Sequence, residues 1–134
     1  MKRCILDTNI LTAFFKKDSN VVKKVSGYLD YFDCLTINII SYYEILRGLK
    51  DIGNENRINK FEEFIDENEL ITQRKETILK ASEIYAYLKR KGKLIEDADI
   101  LISSIAIVDN LILVTDNTKH FKRINDLHIE NWKD

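Results

Sequence analysis

Five acidic residues stand where apolar runs of the sequence begin or end, and they are the strongest candidates for chemistry: Asp7, Glu44, Asp97, Asp99 and Asp116. Carboxylates within about 4–6 Å disfavour each other's charged forms, so a cluster at neutral pH needs protons or a cation. Oxygen ligands without Cys or His select hard ions such as Mg²⁺ or Mn²⁺. Such ions can bind phosphate oxygens, generate hydroxide from water and stabilise the leaving oxygen of a phosphodiester.

The predicted strands determine whether these acids meet. Asp7 directly follows an apolar run that is typical of a buried strand, and Asp116 follows a second such run at 111–115. Glu44 lies just beyond a predicted strand at 35–40. Because the carboxyl ends of parallel strands meet at one edge of a sheet, we expect these three acids to lie there together.

The rest of the chain predicts alternating helices and strands. Apolar spacing indicates helices at 10–16, 21–31, 58–65, 77–91 and 98–108, and further short strands at 70–72 and 128–132. This alternation predicts a three-layer α/β/α sandwich around a mostly parallel sheet of four or five strands, formed by a single domain over residues 1–134. The helix at 98–108 brings Asp97 and Asp99 toward the same edge by its N-terminus.

Each acid also has a simpler interpretation. Glu44 could close a capping box with Ser41, at the start of a helix that runs to about Leu49. Asp7 could belong to a helix N-cap, and Asp116 could be part of a turn. The shared placement at strand ends, rather than any single acid, indicates a site.

Asp99 is harder to explain as a purely structural residue than Asp97 is. Asp97 could be a first-turn residue that the helix dipole favours. Asp99 instead enters a helix whose next turns are apolar all round, so a carboxylate there needs a partner. In a regular helix the two side chains lie about 200° apart, so both could not face one metal ion.

Composition excludes several classes of protein. The 134 residues include 45% hydrophobic and 32% charged side chains, as expected of one soluble domain rather than a disordered chain. No apolar run is long enough for a spanning helix, and the first residues do not resemble a signal peptide. The two cysteines have no zinc-ligand spacing, and we expect free thiols in a cytoplasmic protein.

The net charge of −1, from 21 basic and 22 acidic residues, gives no direct argument for a nucleic-acid partner. A cluster of basic residues at Lys119, Lys122 and Arg123 follows Asp116 and could hold phosphates beside the cleft. The alternative is a solvated helix face. If the five acids gather in one site, the remaining surface is mildly basic.

Several segments in order resemble the PIN domain, most closely the VapC-like toxins of prokaryotic toxin–antitoxin pairs. They are LDTNIL at 6–11, EILRG at 44–48, IEDADILI at 95–102, LVTDN at 113–117, and HF at 120–121 with IENW at 129–132. The resemblance implies an endoribonuclease that depends on Mg²⁺ or Mn²⁺. It places the four acids of the family on Asp7, Glu44, Asp99 and Asp116, with Asp7 and Asp99 as the most direct metal ligands and Asp97 as an extra acid.

The same resemblance implies supporting positions and partners. Thr8, Asn9, Thr115 and Asn117 match positions that support the site. It further implies an RNA substrate, a homodimer, and a cognate antitoxin that inserts a peptide segment near the acids.

Three alternatives remain open at this point. One is a PIN-type RNA-processing nuclease without an antitoxin, and another is a non-catalytic binding protein derived from that fold. The third is a phosphoaspartate protein, either a phosphatase or a signalling receiver. The phosphatase pattern requires an Asp two residues after Asp7, where this chain has Asn9, and the receiver pattern requires a lysine that is absent after the strand at 111–115.

Overall fold

The computed structural model describes residues 2–134, in which five short strands alternate with seven helices. The strands are β1 (Cys4–Leu6), β2 (Thr36–Asn38), β3 (Glu69–Ile71), β4 (Ile112–Val114) and β5 (Ile129–Glu130). The helices are α1 (Thr8–Phe15), α2 (Ser19–Leu29), α3 (Ile39–Ile52), α4 (Glu55–Asp66), α5 (Lys75–Arg90), α6 (Asp97–Val108) and α7 (Thr118–Phe121).

The five strands form one sheet in the order β3-β2-β1-β4-β5, and every neighbouring pair is parallel. From β1 the chain continues to β2 on one side of it, and β4 lies on the other side. In parallel sheets, the carboxyl ends of strands at such a reversal of order form the usual crevice for a ligand. Asp7 follows β1 at this point.

Successive residues of β1 pack against opposite layers of helices, so this central strand is buried on both faces. Leu6 packs in a core with Ile10 of α1 and Phe61 of α4. Ile5 packs in a second core with Ile84 of α5 and Ile102 of α6. The predicted three-layer α/β/α sandwich is therefore confirmed, with a parallel sheet of five strands.

The junction between β2 and α3 differs from the sequence-based prediction. The strand ends at Asn38, whose side-chain oxygen accepts a hydrogen bond from the backbone N–H of Ser41 at 2.8 Å and caps α3. The capping box of Ser41 with Glu44 was therefore wrong, because the helix has already begun at Ile39. It ends at Ile52, after the predicted Leu49.

The remaining predicted elements are present with somewhat different ends. The long apolar stretch is helical from Asp97 to Val108, and the predicted strand at 128–132 is reduced to two residues. Cys4 and Cys34 are free thiols, as expected. Within residues 2–134, no helix combines the length and the apolar character that crossing a bilayer requires.

Candidate active site

Asp7 is a buried carboxylate at the carboxyl end of β1, held through both of its oxygens. Oδ1 accepts a hydrogen bond from the backbone N–H of Thr8 at 2.8 Å, and Oδ2 accepts one from the hydroxyl of Thr115 at 2.8 Å. Burial raises the pKa of Asp7, these two hydrogen bonds oppose the rise, and the charges of Glu44 and Asp116 add to it. Asp7 is thus both the N-cap of α1 and a member of an acidic cluster.

Glu44 is connected to the sheet through a row of hydrogen bonds. Thr8 Oγ1 donates to Glu44 Oε1 at 2.6 Å and lies 2.8 Å from Ser41 Oγ. Asn38 Nδ2 donates to Ser41 Oγ at 2.9 Å and to the carbonyl of Leu6 at 2.9 Å. Since the hydroxyl of Thr8 has one proton, that of Ser41 is free to donate to Thr8. The row places the Glu44 carboxylate beside the end of β1.

Asp99 lies in the first turn of α6, with 19% of its side chain exposed. Burial raises its pKa to about 6, and the charges of Asp7, Glu96 and Glu44 contribute to the rise. His120 Nδ1 lies 4.0 Å from Asp99 Oδ2, at the limit of an ion pair. The carboxylate that the sequence left without a partner therefore faces other carboxylates of the predicted site.

Asp116 differs from the other acids because a cation contacts it. Lys133 Nζ lies 2.8 Å from Asp116 Oδ2, and Asn9 Nδ2 donates to Asp116 Oδ1 at 3.1 Å. Partial burial alone would raise the pKa of Asp116, but the hydrogen bonds from Lys133 and Asn9 and the charge of Lys133 outweigh it, so the pKa is lowered. Sequence reasoning did not identify Lys133.

Asp97 does not join this group. Its side chain is exposed in the first turn of α6, and it is absent from the charges that raise the pKa of Asp99. This agrees with the opposite directions that a regular helix gives to side chains two residues apart.

All four predicted supporting residues contact the site. Thr8, Asn9 and Thr115 bond to the acids as described above. The backbone N–H of Asn117 donates to Thr115 Oγ1 at 3.0 Å, and its side-chain nitrogen lies 3.0 Å from His120 Nδ1. Asn117 therefore links the hydroxyl that holds Asp7 to the imidazole beside Asp99. His120 belongs to the segments that resemble the PIN domain, but the sequence did not predict its contacts with Asn117 and Asp99.

Comparison with known proteins identifies the family of the chain. The model of the PIN domain matches residues 4–127. The chain belongs to the PIN domain family. It is 33% identical over 128 residues to Ribonuclease VapC1 of Methanocaldococcus jannaschii, covering 96% of this chain and 85% of that protein. It is also 33% identical over 129 residues to Ribonuclease VapC2 of Rickettsia felis, covering 96% of each.

A solved structure agrees over nearly the whole PIN domain. The crystal structure of VapBC2 from Rickettsia felis, bound to a DNA fragment from its promoter, contains a chain that is 30% identical and superposes with a TM-score of 0.85. The match covers 96% of this chain and 97% of that one. The resemblance to VapC-like members is thereby confirmed.

The three basic residues after β4 differ in exposure. Lys119 and Lys122 are exposed on and beside α7, which also carries His120. Arg123 is half-buried, and its guanidinium lies 3.4 Å from the carbonyl oxygen of Leu94. Lys119 and Lys122 are therefore more available to a ligand than Arg123 is.

The donor set fits a hard divalent cation in its chemistry. The acids offer oxygen ligands only, and burial and like charges raise the pKa values of Asp7 and Asp99. A bound cation would compensate the charges that now repel each other. In the chain from residue 2 onward, no three Asp, Glu, His or Cys side chains are already gathered to hold a metal ion. The acids thus form a loose cluster rather than a closed set of metal ligands.

Proposed function

We propose that this PIN-domain protein is an endoribonuclease that depends on Mg²⁺ or Mn²⁺. Asp7 and Asp99 are the most direct ligands, with Glu44 and Asp116 as the other acids of the cluster. The observation that carries the proposal is that buried Asp7 and half-buried Glu44 are linked through Thr8 at the carboxyl end of β1, while the charges of both raise the pKa of half-buried Asp99. The curated relatives at 33% identity are named ribonucleases, which supports RNA as the substrate.

The residues of this chain act mainly by positioning. When bound, the ion supplies activation of water and polarisation of the phosphodiester. Thr115 and the backbone N–H of Thr8 fix both oxygens of Asp7, and the Thr8 hydroxyl fixes Glu44. Side chains locked in this way keep a site within the narrow geometry that catalysis requires. With water as the nucleophile, we expect cleavage of single-stranded or loop RNA to leave a 5′-phosphate.

We further propose that the protein is the toxin of a toxin–antitoxin pair, with a cognate antitoxin protein as its partner and a homodimer as its assembly. The Rickettsia felis neighbour was solved as VapBC2 with promoter DNA, which supports an antitoxin partner. A phosphoaspartate mechanism is disfavoured. Asn9 occupies the position of the second acid, and its amide donates to Asp116 rather than supplying a proton-transfer group.

Metal removal tests the reaction class. Because water activation is assigned to the bound ion, RNA cleavage with Mn²⁺ is expected to fall at least about a hundredfold in EDTA. The purified protein is incubated with a panel of structured and single-stranded RNAs, and cleaved ends are mapped by sequencing. Cleavage should return when Mn²⁺ is added in excess over EDTA. Undiminished cleavage in EDTA would refute the metal-dependent mechanism.

Charge reversal tests the proposed RNA-binding residues. In the double variant Lys119→Glu, Lys122→Glu, RNA binding is expected to weaken. The slope of log affinity against log salt should also become shallower, by about 0.7 for each phosphate that the protein no longer neutralises. Fluorescence anisotropy with a labelled RNA measures both. The matched control is Lys23→Glu, Lys24→Glu, which changes two exposed lysines of α2 and should leave binding unchanged. Equal effects of the two double variants would show that Lys119 and Lys122 belong to a solvated helix face and do not bind RNA specifically.

A further inference from the structure

Asp116 has both carboxylate oxygens engaged by neighbouring side chains. Oδ1 accepts from Asn9 Nδ2 at 3.1 Å, and Oδ2 accepts from Lys133 Nζ at 2.8 Å. Lys133 is itself partly buried, with 36% of its side chain exposed. The fourth acid of the cluster is therefore already bound to a cation of the chain itself.

The backbone N–H and the backbone carbonyl of Lys133 are both hydrogen-bonded. Its N–H donates to Asn131 Oδ1 at 3.0 Å, and its carbonyl accepts from Asn20 Nδ2 at 2.8 Å. The preceding Trp132 is buried, and its indole N–H donates to Glu130 Oε1 at 3.1 Å. A lysine anchored in this way loses less freedom on pairing than a lysine on a free surface loop.

The other three acids have no such partner. Among the ion pairs of the described chain, none joins a Lys or Arg to Asp7, Glu44 or Asp99. Asp116 and Lys133 also line a surface cavity of about 560 Å³ that borders the cluster. The cluster thus contains three acids without a lysine or arginine partner and one acid, Asp116, whose charge is balanced by Lys133.

We propose, building on the function proposed above, that Lys133 is a positioning residue that serves as a built-in counter-cation for Asp116. It keeps this carboxylate out of the ligand set of the divalent ion, which Asp7, Glu44 and Asp99 hold. The ammonium group and a divalent ion compete for the same carboxylate, and two cations at close range repel each other. Asp116 then orients Asn9 and Lys133 instead of binding the ion.

Affinity for Mn²⁺ alone, measured by isothermal titration calorimetry on the full metal-free chain, tests this proposal. Lys133→Met releases Asp116 and is expected to tighten Mn²⁺ binding at least about tenfold. Adding Asp116→Asn removes the released charge, so the double variant should return to within about threefold of the wild type. Lys133→Arg keeps the charge and should also bind like the wild type.

The matched control is Lys80→Met, which breaks a lysine–glutamate pair on α5 outside the cluster and should leave Mn²⁺ affinity unchanged. Unchanged affinity in Lys133→Met, or a double variant that binds much more weakly than the wild type, would overturn the proposal. Either result leaves the proposed nuclease intact, provided the wild type binds Mn²⁺. Absence of Mn²⁺ binding and of RNA cleavage in the wild type would instead reject both. Thermal unfolding without metal verifies that each variant is folded, and Lys133→Gln replaces Lys133→Met if that variant is not folded.

Discussion

Replacing Asp99 with Asn is expected to lower RNA cleavage at least about a hundredfold while the fold is retained. The side chain keeps its shape but loses the charge that an ion would bind. The charges of Asp7 and Glu44 raise the pKa of Asp99 in the first turn of α6, whereas Asp97, the other acid of that helix, is exposed and is not expected to replace it. Initial cleavage rates at saturating Mn²⁺ measure the loss, and circular dichroism verifies the fold.

Asp97→Asn is the control that the same helix offers. It makes the same chemical change two residues earlier, on an exposed side chain. We expect its cleavage rate to stay within about threefold of the wild type. A substitution on the exposed surface, outside the cluster, changes the stability of the fold very little. Full activity in Asp99→Asn would show that the active site lies at other residues. Equal losses in both variants would show that the charge of the helix terminus, rather than the position of Asp99, matters.

Asp99→Asn should also be more stable than the wild type when no metal is present. Because the pKa of Asp99 is raised from 3.8 to about 6 in the folded state, the folded protein holds this proton where the unfolded chain has lost it. Wild-type stability therefore falls as pH rises from 3.8 to about 6, and it stays lower above that range. Asp99→Asn should recover about 1–3 kcal/mol at pH 7 and show a flatter pH dependence in urea unfolding.

Much of the fold could be predicted because β1 and β4 are fully apolar and most helices have regular apolar spacing. The strand before Asp7, the strand before Asp116 and the helix that begins near Asp99 were all identified from apolar runs. The end of β2 was not, because Ile39 and Ile40 continue the apolar pattern while the backbone already turns into α3. Asn38 decides this turn through its side chain, and a hydrophobicity pattern does not contain that information.

The placement of Asp7, Glu44 and Asp116 near one edge of the sheet could be predicted because the carboxyl ends of parallel strands meet there. Two other features of the site could not. Lys133 reaches Asp116 because Trp132 is buried and Asn20 holds the backbone, a long-range arrangement that local sequence does not encode. For Asp97, the helix geometry predicted only that it could not share one metal ion with Asp99. It did not predict that Asp97 is exposed.

Asn38→Ala is expected to lower the free energy of unfolding by about 2–4 kcal/mol, a large part of the 5–15 kcal/mol typical of a domain. Loss of a helix cap alone costs about 1 kcal/mol. Here the removed side chain is fully buried, and it also bonds the carbonyl of Leu6 and the hydroxyl of Ser41. Each buried partner left without a hydrogen bond adds about 1–3 kcal/mol. Urea unfolding with and without the substitution measures the loss.

Asn54→Ala separates the cap from the connection to the sheet. Asn54 caps α4 by accepting one solvent-exposed hydrogen bond from the backbone N–H of Arg57 at 3.1 Å. Its loss should therefore cost only about 0.5–1 kcal/mol. Equal costs for the two substitutions would mean that Asn38 contributes no more than a helix cap. The larger cost expected for Asn38→Ala would instead show that this one side chain joins β1, β2 and α3, the elements that carry Asp7 and Glu44.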